Sequence, residues 1–534
     1  MNRRDFIQDS LALIGLTAAF ASCQQKEKAI KGKIMGASAH VGHMLRDASF
    51  TTPAETIQKD IVIVGGGVSG LSAARFLQKQ GVKDFLLLDL EENVGGNAAS
   101  GNNVVSAFPW GAHYIPIPNN SLQEYQDFLT EVGVITGRNQ QGLPIYNEYH
   151  LCFDPQERLY INGRWQEGLI PHLGVPEADQ KQIERFLSLM DTFRNQVGKD
   201  GKEAFALPVD RSSKDEAFVM LDQVTMNEWL DRQQLTSPYL HWYINYCTKD
   251  DFGTTIQNIS AWAGIHYFAS RKGKGANAEH HDVLTWPAGN GWLVEQLQKD
   301  INGHILTQSM AISLKQEVEG IVVHYYDVRQ KSVKAIKAKQ CILAIPQFVA
   351  ARLLKDNQRI GKVQQHLHYT PWMVANLTVT KLEERTGAPL SWDNVIYESD
   401  SLGYINAAHE LLDQHVPKRN LTYYLPLTKG APLAERKAAQ QTTHEQWVAM
   451  IIADLKRVHP DIEEKLEEIN VMVWGHAMTQ PRPGLIHGPI RQELGASIKN
   501  NIHFAHTDLA GVSLFEEAFY QGLSAARKVL NQLA

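Results

Sequence analysis

The sequence predicts an α/β fold in which a largely parallel sheet is assembled from separate segments, with a mixed α+β domain between them. Three observations lead to this prediction. A β-branched run enters a glycine cluster at residues 61–70, apolar residues recur at helical spacing between residues 119 and 282, and apolar strands and a closing helix follow over residues 320–526. The 534 residues are enough for two or three domains.

The composition is that of a soluble globular protein, with 43% hydrophobic and 21% charged residues. The net charge is −6 and no long basic stretch occurs, so we do not expect nucleic acid as a partner. No apolar run reaches the roughly 18 residues that a membrane-spanning helix needs.

The first 23 residues have the features of an export signal. An arginine pair at residues 3–4 resembles a twin-arginine signal and precedes an apolar run at residues 11–21 that is too short to span a bilayer. Small residues then precede Cys23, as at a lipoprotein processing site. We therefore predict export to the periplasmic or cell-surface side, a lipid anchor on Cys23 that attaches the chain to a membrane, and a polar tether over residues 24–58. The alternative is an ordinary amphipathic N-terminal helix.

Three further cysteines, Cys152, Cys247 and Cys341, are odd in number and widely spaced. This spacing indicates neither a disulfide framework nor a set of metal ligands, so we predict no metal site. Cys341 begins an apolar run and is expected to be a buried, unreactive thiol.

The clearest signal is a strand–glycine–helix–strand unit. Residues 61–64 are β-branched, as in a strand that is buried on both faces. Gly65, Gly67 and Gly70 follow with G-x-G-x-x-G spacing, and then a helical pattern and a second apolar strand that ends in Asp89. This order is typical of a Rossmann-like dinucleotide-binding unit.

Each of these residue types is required at its position for a physical reason. Gly65 permits the tight turn, Gly67 lets a pyrophosphate approach the backbone, and Gly70 lets the helix pack closely on the strand. The helix N-terminus, which includes Ser69, presents amide groups and a positive dipole end to phosphates. Asp89 can accept hydrogen bonds from ribose hydroxyls.

A second glycine pair, Gly95 and Gly96, lies just beyond Asp89 and Leu90. This arrangement resembles the flavin amine oxidase superfamily, which includes protoporphyrinogen oxidases and phytoene desaturases. The resemblance implies a discontinuous FAD-binding domain that holds FAD non-covalently, with these residues close to the cofactor. Many members have Arg directly after the glycine pair, where this sequence has Asn97.

The resemblance extends over nearly the whole chain after the predicted tether. Four more segments match motifs of the superfamily: 109–115, 286–293, 320–346 and 504–526. In the last of them, the resemblance implies that Asp508 binds the ribityl chain and that a helix starting near Phe515 and Glu516 points its positive end at the flavin. Two residues depart from the motif, since His506 and Glu517 replace glycines.

The resemblance implies the following domains. They are an export signal (1–23), a tether (24–58), FAD-binding segments (59–118, 283–350 and 481–534), a mostly helical substrate segment (119–282) and a second substrate segment (351–480).

On the substrate side the prediction rests on single residues. His113 and Tyr114 lie in a motif close to the flavin, and we name them as candidate catalytic residues, with His113 as a possible base. A water-poor pocket needs apolar walls, although each candidate could equally belong to the core. The candidates for these walls are Trp286, Trp372, Trp474 and His476.

Two landmarks of the superfamily's amine oxidases are missing. The strand that they equip with a Lys corresponds to residues 372–376, where no Lys occurs, and Leu514 or Phe515 stands near the position of a Tyr. These departures favour a larger, hydrophobic or conjugated substrate.

The sequence therefore predicts an FAD-dependent oxidoreductase that transfers hydride from a C–H bond of a small-molecule substrate to flavin N5, with O2 or a quinone as the electron acceptor. Two alternatives stay open. One is an FAD-dependent desaturase or isomerase of an apolar polyene or lipid, and the other is a non-catalytic, membrane-anchored flavoprotein.

Overall fold

The computed structural model describes residues 30–533 except 381, 383–384, 410 and 412–416. The predicted export signal and the lipidation site at Cys23 lie outside the described residues. Within the described part of the chain, no helix combines the length and the apolar character that crossing a bilayer requires.

The described residues form strands and helices that alternate along most of the chain. The strands are β1 (Ile34–Gly36), β2 (Thr56–Val64), β3 (Phe85–Leu88), β4 (Ser100–Asn102), β5 (Ala107–Pro109), β6 (Tyr114–Pro116), β7 (Ile135–Arg138), β8 (Pro144–Tyr146), β9 (Glu157–Ile161), β10 (Arg164–Glu167), β11 (Val283–Thr285), β12 (Ile305–Leu306), β13 (Ser309–Glu317), β14 (Gly320–Asp327), β15 (Ser332–Leu343), β16 (Tyr369–Thr380), β17 (Asp393–Ile396), β18 (Tyr404–Asn406), β19 (Lys418–Pro426), β20 (Leu466–Thr479) and β21 (Ile502–Phe504). The helices are α1 (Ala39–Asp47), α2 (Val68–Lys79), α3 (Gln123–Glu131), α4 (Glu177–Arg194), α5 (Glu216–Val219), α6 (Met226–Arg232), α7 (Pro238–Phe252), α8 (Ala261–Ala269), α9 (Gly291–Gln298), α10 (Gln347–Leu353), α11 (Asn357–His366), α12 (Pro432–Gln441), α13 (His444–Leu455), α14 (Ile462–Lys465), α15 (Ile490–Gly495) and α16 (Phe515–Leu533).

The first sheet has the order β12-β3-β2-β15-β14-β13, with β21 beside β15. Strands β12, β3, β2, β15 and β21 run parallel. Along β2, Ile61 and Ile63 contribute to one core cluster and Val62 and Val64 to another. The prediction of a strand buried on both faces is confirmed, and so is the α/β fold with a Rossmann-like domain.

The β-hairpin predicted between residues 320 and 346 is also confirmed. Strands β14 and β15 pair antiparallel from Ile321–Ala338 to Asp327–Ser332. The second half of β15 then continues into the centre of the sheet, where it pairs with β2 and β21. Cys341 lies in this half with no exposed surface, as expected from its apolar surroundings.

The second sheet has the order β1-β20-β16-β19-β18-β17-β9-β10. Its first strand corrects the predicted tether, because β1 pairs parallel with β20 from Ile34–Val471 to Gly36–Val473. Helix α1 follows and buries Val41. The described part of residues 24–58 is therefore folded onto both domains. The polar composition of this segment is explained by the position of β1 at the edge of the sheet, where many side chains remain in solvent.

Helices α4, α7 and α8 pack against the second sheet and form its core with their apolar faces. Helix α3 is different, although the sequence places it in the same substrate segment. Its Tyr125 packs against Phe515 and Phe519 of α16, with ring centroids 6.0 and 5.2 Å apart. Helix α3 therefore belongs to the core of the first domain, and strands β9 and β10 from the predicted helical segment belong to the second sheet.

Candidate functional site: a glycine-lined cradle and an acidic, aromatic cavity

The turn between β2 and α2 has the geometry that its glycines predict. Gly65 has φ +105°, and a Cβ on Gly70 would lie 1.9 Å from the carbonyl oxygen of Gly65. Gly67 caps α2 without a side chain, and a Cβ there would meet no heavy atom of the described residues within 4 Å. Ser69 lies in the first turn and is buried. The N-terminal end of α2, its mouth, is therefore open beside Gly67 and tightly packed at Gly70.

Asp89 ends β3 beside this mouth and is half-buried. Its Oδ2 accepts a hydrogen bond from the Gly66 amide at 2.6 Å, and its Oδ1 accepts one from the Glu91 amide at 2.7 Å. Burial raises the pKa of Asp89 to about 6, although the two amides oppose this shift. The carboxylate is thus anionic at neutral pH and held in a fixed orientation.

The second glycine pair lies directly against the first turn. Gly95 and Gly96 have φ values of +127° and +56°. The Gly95 amide donates to the Gly66 carbonyl at 2.8 Å, and a Cβ on Gly96 would lie 3.4 Å from Cα of Gly67. The two glycine segments, which are 28 residues apart, therefore form one continuous backbone surface without side chains.

Leu90 and Asn97, which lie near this glycine pair in the sequence, have side chains in different surroundings. The Asn97 side chain donates to the Ala477 carbonyl and borders the cavity described below. The Leu90 side chain packs into a small cluster with Val41 and Met310, so it does not face the cradle.

Asp508 is buried, and its carboxylate is held by protein donors. Its Oδ2 accepts hydrogen bonds from the Tyr369 hydroxyl and the Gln347 amide, both at 2.7 Å, and its Oδ1 accepts one from the Thr479 hydroxyl at 2.7 Å. Burial would raise the pKa of Asp508, but the nearby His506 and these donors lower it. Protein donors bind both carboxylate oxygens of Asp508, which is 2% exposed, and its bond to a ribityl chain stays a prediction.

Helix α16 begins at Phe515, and its first turn carries two buried carboxyl groups. Oε1 of Glu516 has no hydrogen-bond partner among the described residues, and burial raises the pKa of Glu516 to about 7. Glu517 accepts a hydrogen bond from the Val209 amide at 2.6 Å, and burial raises its pKa to about 8. Glu517, which departs from the motif, therefore links α16 to the substrate domain, while Glu516 borders the cavity.

Helix α16 also packs on the mouth of α2. A Cβ on Gly522 would lie 2.2 Å from the carbonyl oxygen of Ser69 and 3.0 Å from the Ala73 amide nitrogen. Only glycine permits this close crossing of the two helices.

A cavity of about 810 Å³, partly open to solvent, lies between the two domains. On the side of the first domain it is bordered by Asn97, Ala112, His113, Asn290, Ser513, Phe515 and Glu516. On the side of the second sheet and α7 it is bordered by Tyr114, Asp250, Asp251, Arg271, Trp372, Tyr424 and Trp474.

The charged part of this wall is not predicted by the sequence motifs. The Tyr114 hydroxyl donates to Asp250 at 3.1 Å or to Asp251 at 3.3 Å. Arg271 forms an ion pair with Asp251 at 2.6 Å and also lies 3.5 Å from the Tyr114 hydroxyl. Burial raises the pKa of both aspartates, with their mutual repulsion adding to the shift of Asp250 and Arg271 opposing it. Burial also keeps the Tyr114 phenol protonated by raising its pKa.

His113 borders the cavity but is a weak base. Its ring packs against Tyr424 and Trp392, with centroids 4.7 and 5.6 Å away. Burial lowers the pKa of His113 to about 4, although a hydrogen bond with the Gly111 backbone opposes this. A neutral imidazole with so low a pKa favours a packing role over the predicted role as a base.

The four predicted wall residues divide into two pairs. Trp372 and Trp474 border the cavity and face each other on β16 and β20. Trp286 instead stacks on Trp292 at 4.9 Å and donates to His150, and it belongs to the core of the first domain.

His476 stacks on Phe348 at 4.2 Å, outside the cavity lining. Burial lowers its pKa to about 3. Two residues apart on a regular strand, His476 and Trp474 would face the same side of the sheet. The pairing of β16 with β20 is irregular between Thr370 and Trp372, so the side chains do not alternate regularly here and His476 faces elsewhere.

None of the described residues that border the cavity is a lysine. Most of the lining surface is apolar, as this absence suggested in the sequence, but charged groups lie within it. The two aspartates and Glu516 outnumber Arg271 there, so the cavity carries an excess of carboxyl groups.

Comparisons with known proteins agree with this architecture. A family model described as an NAD(P)-binding Rossmann-like domain matches residues 63–132. The flavin-containing amine oxidase B of Sus scrofa is 22% identical over 305 residues, which cover 55% of this chain and 51% of that protein. The mitochondrial dimethylglycine dehydrogenase of Homo sapiens is 35% identical over 92 residues, which cover 17% of this chain and 11% of that protein. The chain thus spans from about a tenth to about a half of these curated relatives.

Among solved structures, a double mutant of putrescine oxidase superimposes with a TM-score of 0.65 at 16% identity, over 89% of this chain and 100% of that one. The chain therefore has the fold of a flavin-type amine oxidase over nearly all of its length.

Proposed function

We propose that this chain is an FAD-dependent oxidoreductase of the flavin amine oxidase superfamily, which transfers hydride from a substrate C–H bond to flavin N5. One observation carries the proposal. Asn97, which directly follows the second glycine pair, and the first turn of α16 border the same cavity, and the other side of this cavity carries aromatic and acidic side chains.

The residues of the cradle fit FAD. The open backbone at Gly67 and Gly96 leaves room for a pyrophosphate, and the α2 dipole favours its charge. Asp89 is anionic and partly exposed at the end of the second strand, where the dinucleotide-binding unit places the acid that binds a ribose. The N-terminus of α16 lies at the cavity, where its dipole would stabilise negative charge on a reduced flavin. When bound, FAD supplies the two-electron acceptor that the side chains of this chain lack.

The cavity wall supports a small amine as the substrate. Buried carboxylates are unfavourable neighbours for an apolar polyene, since they would lose water without gaining a partner. A cationic amine compensates them, and Trp372 and Trp474 provide aromatic faces for its apolar part. The acidic wall therefore favours an amine over the polyene or lipid of the alternative hypothesis.

The proposal is tested with the purified chain. We expect flavin absorption that is released by denaturation, and anaerobic bleaching of this absorption by at least one member of a panel of primary and secondary amines. Re-oxidation by O2 and by a soluble quinone analogue would then identify the electron acceptor. A chain that binds no flavin even after reconstitution would refute the proposal.

We also propose export and lipidation at Cys23, on the strength of the N-terminal pattern alone. Expression of the full chain in a bacterial host should place it in the membrane fraction, and Cys23→Ser should release it into the soluble exported fraction. A wild-type chain that stays in the cytoplasm would contradict the export signal.

A further inference from the structure

The acidic wall of the cavity has a feature that an amine-binding surface alone does not require. Two aspartates are adjacent in sequence at the end of α7, and both lie within hydrogen-bonding distance of the Tyr114 hydroxyl, which donates to one or the other. They are not equivalent, however. Asp251 is 7% exposed and paired with Arg271, whereas Asp250 is half-buried and has no ion pair among the described residues.

A second, independent feature of the same cavity indicates a ligand. Glu516 is 2% exposed and borders the cavity from the opposite domain, and its Oε1 has no hydrogen-bond partner among the described residues. An unpaired buried carboxyl oxygen is costly, so a donor from a bound molecule is its natural partner. The cavity is therefore built to receive hydrogen-bond donors between Asp250 and Glu516.

A protonated amine that enters this cavity brings a proton that must leave. Oxidation of an amine to an iminium removes a hydride and requires the nitrogen lone pair, which the ammonium form lacks. The hydride goes to the flavin that the proposed function supplies, and the proton needs an acceptor in the chain. His113 has too low a pKa for this task, and none of the described cavity residues is a lysine.

We propose that Asp250 is the proton acceptor of the cavity, with Tyr114 and the Asp251–Arg271 ion pair as positioning residues that hold its carboxylate toward the substrate nitrogen. The inference rests on the proposed function. On binding, the N–H bond of the ammonium breaks, an O–H bond forms on Asp250, and the free amine is left beside a neutral carboxylic acid. In a desolvated cavity this neutral pair is favoured over an ion pair, because neither partner keeps an uncompensated charge.

The electrostatic surroundings agree with this role. Burial raises the pKa of Asp250 and thereby makes its carboxylate a stronger base than an exposed aspartate. The groups that interact with Asp250 come from several elements: Asp251, Tyr246 and Cys247 on α7, Arg271 after α8, Tyr114 on β6, Glu157 on β9, Asp393 on β17 and Tyr424 on β19. Arg271 is the single cation of this set, and it is paired with Asp251. Of the two adjacent aspartates, Asp250 is therefore the one whose carboxylate is not held in an ion pair and is left to exchange a proton.

The experiment uses the flavin-loaded full chain at mildly alkaline pH, where Asp250 is ionised, and infrared difference spectroscopy of carboxyl groups. Benzylammonium is added as the probe, and benzyltrimethylammonium, which has no transferable proton, is added in parallel. We expect a protonated-carboxyl C=O band to develop with the first probe and not with the second. The band should be lost in Asp250→Asn, which keeps the size of the side chain.

Two further variants separate this role from general effects of charge. Asp393→Asn removes a buried carboxyl group that interacts with Asp250 but does not border the cavity, and it should leave the band in place. Tyr114→Phe removes a hydrogen-bond donor to Asp250, so in the ligand-free protein the band should persist to higher pH than in wild type.

Several outcomes would overturn the inference. They are a band that also develops with benzyltrimethylammonium, a band that persists in Asp250→Asn, and failure of benzylammonium to bind or to produce a band. A chain without bound flavin would instead contradict the proposed function, so the two failures are distinguishable.

Discussion

The glycine cradle and the cavity are built in different ways. The cradle at the mouth of α2 is made of backbone, with Gly67 and Gly96 side by side and Asp89 as its fixed charge. The cavity is bordered by side chains, many of them from α7, β6, β16, β19 and β20, and its charged groups are the Asp250–Asp251–Arg271 cluster and Glu516. Where a binding surface is made of backbone, almost none of its glycines can be replaced. Where it is made of side chains, substitutions can alter which substrate binds without altering the fold.

The largest expected effect on FAD binding is at the cradle. In Gly70→Ala the new Cβ would lie 1.9 Å from the Gly65 carbonyl oxygen, so α2 must move away from the turn. We expect a loss of about 1–3 kcal/mol in unfolding free energy and an FAD affinity lowered by about 10- to 100-fold. Both are measured on the purified variant, by denaturant unfolding and by titration of the apoprotein with FAD.

A matched control distinguishes crowding from a general effect of replacing glycine. Gly361 lies on the exposed side of α11, where a Cβ would meet no heavy atom of the described residues within 4 Å. Gly361→Ala should stabilise the protein by about 1 kcal/mol and leave FAD affinity unchanged. Equal FAD affinity in Gly70→Ala and Gly361→Ala would show that the cradle does not bind the nucleotide.

This difference also explains which parts the sequence could predict. The spacing of Gly65, Gly67 and Gly70 is local, and a strand, a turn and a helix in sequence order have few ways to pack. The parallel sheet and the β14–β15 hairpin were predicted for the same reason. The β1 edge strand was missed because its few residues have no alternating pattern, and its partner β20 lies more than 400 residues away.

The charged wall was missed for a related reason. Asp250 and Asp251 end an ordinary helix, and Arg271 follows the next one, so nothing local in the sequence brings them to Tyr114. One available signal was an adjacent pair of acidic residues at the end of an otherwise apolar helical segment, which is unfavourable near the C-terminal end of a helix dipole. Such a conflict between a residue and its local environment often marks a functional site.

A second prediction concerns the link between the two domains. Glu517 is 1% exposed, and its pKa is raised to about 8 from an ordinary value near 4.5. The folded protein therefore binds this proton more tightly than the unfolded chain, so its contribution to stability is present below about pH 4.5 and is lost as the pH rises through about 8. Glu517→Gln keeps the acceptor for the Val209 amide and removes the titration.

We expect Glu517→Gln to exceed wild type in unfolding free energy by roughly 5 kcal/mol at pH 9, as the rise in pKa from 4.5 to about 8 implies, and to match it at acidic pH. Denaturant unfolding across this pH range measures the difference. A wild-type stability that stays constant between pH 5 and pH 9 would contradict the predicted titration. FAD binding should be unaffected, because Glu517 faces Val209 and not the cradle.

A third prediction compares two tryptophans that the sequence treated alike. Trp372 borders the cavity, whereas Trp286 stacks on Trp292 in the core of the first domain. Trp372→Phe should raise KM for an amine substrate by about 10-fold with little loss of stability, since an aromatic contact is worth about 1 kcal/mol. Trp286→Phe should lower stability by about 1–2 kcal/mol and leave KM unchanged. The reverse pattern in steady-state kinetics and unfolding would place the substrate elsewhere.

The smallest expected effect is at His113, and it tests whether the cavity has one proton acceptor or two. The pKa of His113 is lowered to about 4 by burial, so its ring is neutral through the range in which an amine oxidase would work. His113→Gln should therefore change the pH at which the rate of flavin reduction rises by less than about 0.3 unit, and kcat by no more than about twofold. If this substitution instead removed the acidic limb of the pH profile, His113 would be the base. The Asp250 cluster would then serve only to attract the cation, since a single proton leaves the substrate nitrogen and needs only one acceptor.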